Sequence, residues 1–170
     1  MPITLYAASI PVFRQMLTSL NDILVKAEAH AGAKKIDPNA LLQARLFPDM
    51  FPLLRQVQLA SDFAKGTSAR LAGADVPVYE DKEQSFADLH ARIAKTLAFI
   101  ESLSPEQIDG RPEQEIVIQP DTPRERRFAS QSVYLMHYGL PQFFFHVTTA
   151  YALLRHNGID IGKRDFVGTY

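Results

Sequence analysis

Apolar residues recur at alternating steps of four and three in Tyr6, Ile10, Phe13, Leu17, Leu20, Leu24 and Ala27, the spacing that gathers side chains on one stripe of a helix. Leu53, Val57, Ala60, Ala64, Thr67 and Leu71 repeat the pattern, and Phe86, Leu89, Ile93, Leu97 and Ile100 follow it closely. A fourth segment, Gln131 to Asn157, carries Phe143, Val147, Ala150, Tyr151 and Leu154 on one broad face. Four amphipathic helices, each with one stripe to bury, predict an all-α fold, a four-helix bundle. With 46% apolar residues among 170, the chain has enough material for one domain over residues 1–170.

Local signals bound these elements. The first helix is expected from about Thr4 to His30, with Pro11 bending or breaking its first turn, because proline lacks an N–H and disfavours helical geometry in the residue before it. Asp37 and Pro38 open a short helix, Asp49 is placed to cap the second long helix, and Gly73 to end it in a left-handed conformation. Ser85 and Asp88 form a variant capping box for the third, and the run Ser104 to Gln107 signals one more capped turn. From Glu115 to Gln119 β-branched and polar residues alternate, and the proline-containing "PDTPRERRF" follows, so a small β-hairpin is expected between the third and fourth long helices. The fourth is interrupted at Gly139–Pro141 and stopped by Asn157 and Gly158.

Charge and composition exclude some functions. Eighteen basic residues against nineteen acidic ones give a formal charge of −1, which lacks the positive field nucleic-acid binding requires. No apolar run approaches the roughly 20 residues that span a bilayer, and "MPITLYAASIPVFRQ" has no basic region ahead of its apolar residues. The expectation is a cytoplasmic protein that binds neither nucleic acid nor membrane. The sequence contains no cysteine, so any metal would rely on His, carboxylate, amide or water ligands.

The chemistry concentrates on the fourth helix. Gln142, His146, Thr149 and Leu153 share a face beside its main stripe, with Gln142 and His146 one turn apart, a spacing from which two groups can hold one ion. An amide oxygen is a weak ligand for zinc or nickel, however, and Gln56 in the second helix lies within an apolar stripe. A buried Gln56–His146–Gln142 polar network is therefore expected ahead of a metal site. His137 is expected to reach solvent, His90 to sit half-buried at a boundary, and His30 and His156 to lie near helix C-termini. Arg55, Gln58, Asp62 and Lys65 read as a solvated face, and "RERR" at Arg124–Arg127 as a solvated hairpin tip able to attract an anion. Phe143, Phe144, Phe145 and Tyr151 offer more apolar surface than one stripe needs, which favours a homodimer interface over a pocket for a small-molecule ligand.

Two long stretches, "ARLFPDMFPLLRQVQLASDFAKGTSARLAG" and "LPQFFFHVTTAYALLRHNGIDIGKRDFVG", resemble the signature segments of the bacterial domain-of-unknown-function family DUF1993. The resemblance covers the whole chain. That family is similar to the DinB/YfiT-like superfamily of four-helix bundles, grouped as candidate metal-dependent enzymes, some of which use a thiol cofactor. The resemblance implies a divalent metal held by three histidines, one on the second helix and an H-x-x-x-H pair on the fourth. Here the pair falls on Gln142 and His146, and the helix-two position near Gln56 or Gln58, so one histidine of the three is present. The reading is a DinB-like bundle with a degenerate metal site and a small-molecule binding or scaffold role; the alternative is a metal-dependent hydrolase or thiol-dependent transferase with His146 as ligand to zinc or nickel. A nucleic-acid role, suggested by the DinB name alone, is opposed by the charge balance.

Overall fold

A computed structural model describes residues 3–170; Met1 and Pro2 of the expected 1–170 domain lie outside the described residues. The chain runs α1 Ile10–Lys34, α2 Pro38–Leu42, α3 Leu53–Ala72, α4 Phe86–Glu101, α5 Pro105–Asp109, β1 Ile116–Ile118, β2 Arg126–Phe128, α6 Gln131–Tyr134, α7 Leu140–His156 and α8 Lys163–Val167. The four long helices α1, α3, α4 and α7 form the expected bundle: α3 packs most extensively on α7 and also on α4, and α1 closes the ring against α4 and α7. Phe13 of α1 meets Phe143 of α7 edge-to-face at 4.8 Å between ring centroids. The run of small residues in α3, Ala60, Ser61, Ala64, Gly66, Thr67, Ser68 and Ala69, is buried and admits its neighbours closely.

The first helix differs from expectation at both ends. It starts at Ile10 and runs on to Lys34, and Leu5–Ser9 are turns in which the Ser9 hydroxyl donates to the Leu5 carbonyl at 2.6 Å. Pro11 is tolerated because it falls in the opening turn, where a helix has no partner for its N–H. The proposed cap Asp49 also differs. Pro52 occupies the N-cap of α3 without any side-chain cap, and the Leu53 N–H donates instead to the Ala44 carbonyl at 3.0 Å. Other stops and starts fall as expected: Asp37 accepts from the Asn39 N–H, Ser85 and Asp88 cap each other's backbone, Ser104 and Gln107 do the same, and Gly73 ends α3 at φ 63°.

β1 and β2 form an antiparallel pair with Ile116 opposite Phe128 and Ile118 opposite Arg126. The hairpin's return leads into α6, and the expected interruption before α7 is a single wide turn, Leu135–Gly139, in which the Leu140 N–H reaches back five residues to the Leu135 carbonyl. Pro141 follows immediately and has no N–H to continue an ordinary ladder, which accounts for the widened turn. Gly139 within it is required sterically, since a Cβ there would stand 2.8 Å from Cγ2 and Oγ1 of Thr67 in α3. Beyond α7, α8 is fastened to α1 by Lys26–Asp165 at 2.6 Å, by Gln15 on the Val167 carbonyl at 2.9 Å, and by the Ser19 hydroxyl against the carbonyls of Asp165 and Phe166.

Candidate functional site

α7 sets His146 against α3, where it meets Gln56: Nδ1 lies 2.7 Å from Gln56 Oε1. The Gln56 amide nitrogen is itself committed, donating to the Phe51 carbonyl at 3.1 Å. That bond fixes the amide with its oxygen toward the ring, so His146 carries its proton on Nδ1 and donates, and the lone pair stays on Nε2. Both residues are buried, and the imidazole stacks on Phe63 at 5.5 Å and meets Phe145 edge-on at 5.2 Å. Burial, with a contribution from the positive charge of Arg55, lowers the His146 pKa to about 4, so the ring is neutral near pH 7.

The other residues singled out with this pair go elsewhere. Gln142 is only partly buried and its side chain makes no hydrogen bond among the described residues, so the network closes without it. Thr149 donates to its own helix, at 2.7 Å from the Phe145 carbonyl, and beside it Leu46, Phe144, Phe145, Thr148 and Ala152 line a shallow apolar groove on the outer side of α7. Gln58 is buried on a different side of α3 from Gln56, as a two-residue step on a helix dictates, donating to Glu83 at 2.7 Å and accepting from Arg55 at 2.9 Å.

That other side corrects the expected solvated face. Lys65 and Gln58 are buried beneath the segment 74–85, and Arg92 of α4, 4% exposed, reaches Asp62 at 2.8 Å, Asp81 at 3.1 Å and Glu83 at 2.8 Å. Burial opposes ionisation at Glu83, but the Arg92 guanidinium, its own backbone and Gln58 outweigh it and hold its pKa below the usual value. For Arg92, burial likewise works against the charge, and Glu83, Asp62 and Asp81 together raise its pKa. Tyr79 closes the segment, its ring 3.8 Å from Lys65 Nζ and 4.3 Å from Lys95 Nζ. Nothing in the spacing of α4 announced Arg92; the acidic residues at Asp81 and Glu83 were the available hint.

Phe63 also borders a cleft of about 510 Å³ between α3, the hairpin and the wide turn. Its aromatic wall is Phe63, Tyr134 and Tyr138, backed by Phe128, which lies 5.2 Å from both tyrosines. Arg70, Arg124 and Arg126 supply positive charge, and Asp62 and Glu125 the acids. Strand alternation separates Arg126 from Arg127: Arg127 pairs with Glu115 at 3.1 Å and Glu125 at 2.7 Å, while Arg126 lies 5.6 Å from the Tyr138 ring centroid. Sequence reasoning missed Phe63, Arg70, Tyr134 and Tyr138 as a group, since they come together only when the hairpin folds over α3.

A sequence profile for a domain of unknown function, DUF1993, matches residues 5–167. The chain belongs to the DUF1993 family. A solved structure described as a DinB family member protein from Shewanella denitrificans is 38% identical, aligns over 98% of this chain and 93% of that one, and superposes with a TM-score of 0.88. No curated protein matches the sequence.

A three-histidine metal site of the kind the superfamily resemblance implies would fall at Gln142, His146 and Gln56 or Gln58 in this chain. His146 Nδ1 and both amide atoms of Gln56 are committed, Gln58 faces Glu83 and Arg55, and one imidazole nitrogen, His146 Nε2, is left. Among the described residues no three His, Cys, Asp or Glu side chains are grouped to hold an ion. That donor set does not fit a three-histidine divalent site.

Proposed function

We propose that this DUF1993 protein binds a small molecule, and that the place of the DinB metal site is taken by a neutral Gln56–His146 pair that braces α3 against α7. The supporting observation is the cleft of about 510 Å³ beside Phe63, within the size range of ligand sites and walled by aromatic side chains with a few polar groups at its rim. The Gln56–His146 pair underlies this wall, because the imidazole stacks on Phe63 and so fixes one side of the cleft. The test is a titration with naphthalene-based probes, followed by amide NMR shifts. Shifts confined to cleft residues, weakened several-fold in Tyr138→Ala, support the reading; no binding by any probe, or binding unchanged in Tyr138→Ala, removes it.

A homodimer belongs to the same proposal on a separate observation. Leu46, Phe47, Phe51 and Phe145 are exposed around the outer face of α7 and the loop before α3, an apolar area that a second copy would cover. Sedimentation that shows a monomer at all concentrations would exclude it. No helix among the described residues is long and apolar enough to cross a membrane; a reducing cytoplasm is proposed from the lack of cysteine.

A further inference from the structure

Resting on the reading that the Phe63 cleft binds a small molecule, we infer that its ligand is a flat organic anion, an aromatic body carrying a carboxylate or phosphate that Arg70 and Arg126 recognise. The argument turns on which charges in the cleft are already satisfied. Of its two acids, Asp62 is held by Arg92 at 2.8 Å and Lys65 at 3.0 Å. Glu125 is held by Arg127 at 2.7 Å and by the Asp121 N–H at 2.8 Å. Its three arginines have no such partners: among the described residues none of Arg70, Arg124 and Arg126 forms an ion pair with a carboxylate, and Arg70 donates only to the Gly66 carbonyl at 2.9 Å and toward the Tyr134 hydroxyl at 3.4 Å. The cleft therefore carries unneutralised positive charge although the chain as a whole has a formal charge of −1.

A second, independent observation concerns the body of the ligand. Tyr134 and Tyr138, with ring centroids 5.9 Å apart and planes at 26°, and Phe63, 5.8 Å from Tyr138, supply an aromatic wall suited to a flat body. Arginine suits the anionic end because its planar fork can donate two parallel hydrogen bonds to a carboxylate or phosphate.

The experiment compares three probes of one shape on the full chain: 1-naphthoate, 1-naphthyl phosphate and uncharged 1-naphthamide, with Kd from calorimetry and the site from amide NMR shifts. The expected result is that an anionic probe binds about tenfold tighter than the amide, a difference that shrinks with added salt. Whichever of the two anions binds tighter identifies the preferred group. Arg126→Gln, at an exposed hairpin position, should remove most of the anion preference by weakening the anions far more than naphthamide, and Arg70→Gln should do the same. Equal binding of the amide and both anions, or an anion preference that survives in both variants, would overturn the inference while leaving the binding cleft in place. Failure of all three probes to bind would remove the binding reading as well.

Discussion

At His146 the environment imposes a sign on stability. The unfolded ring titrates near 6.5 and the folded one near 4, so between these values the unfolded chain binds the extra proton and folding weakens as pH falls. The contribution is complete above about pH 6.5 and lost progressively toward pH 4, up to about 3 kcal/mol in all. Urea unfolding at several pH values should show that slope in the wild type and a flatter one in His146→Phe; equal slopes would mean that the ring is not buried neutral. Gln56→Leu leaves the Nδ1 proton without an acceptor and should cost about 1–3 kcal/mol. At Gly139 the conflict is steric. Gly139→Ala drives a methyl group to 2.8 Å from Thr67, a β-branched side chain with little freedom to turn aside in a helix, and should destabilise by about 1–3 kcal/mol. Thr67→Ala in the same chain should recover much of that loss, which a thermal double-mutant cycle would read as coupling between the two positions.

Among the elements, the segment 74–85 depends on α4 more than on its own conformation. Arg92 ties Asp62 of α3 to Asp81 and Glu83 of that segment, so Arg92→Met should lower stability by roughly 2–4 kcal/mol and speed hydrogen exchange across residues 74–85 while α1 and α7 keep their protection. Loss spread evenly over the bundle would contradict this. The long helices were legible because the four-three spacing reports one buried stripe and does not depend on what covers it. The same spacing says nothing about a polar face, and so Gln58 and Lys65 read as solvated until the segment that carries Tyr79 covers them. Helix starts were legible where a side chain does the capping, as at Asp37, Ser85 and Ser104; at α3 a backbone carbonyl, Ala44, does it, and no residue type marks that in advance.

For the whole molecule, the candidate site divides in the same way. The Gln56–His146 contact was legible because Gln56 interrupts an apolar stripe and His146 lies beside one, and a buried polar group requires a partner. Gln142 was misplaced because the pair satisfies itself through the Phe51 carbonyl, a loop contact invisible to periodicity. The cleft was illegible, since its residues come from α3, the hairpin and the turn before α7, far apart in sequence. The proposed function puts a neutral Gln56–His146 brace where a divalent metal would otherwise bind. Elemental analysis of untagged protein prepared without chelator, beside His146→Ala, decides between the two. A neutral brace predicts well under one equivalent of zinc or nickel in both proteins and a lower melting temperature in the variant; near-stoichiometric metal that vanishes in His146→Ala would overturn it.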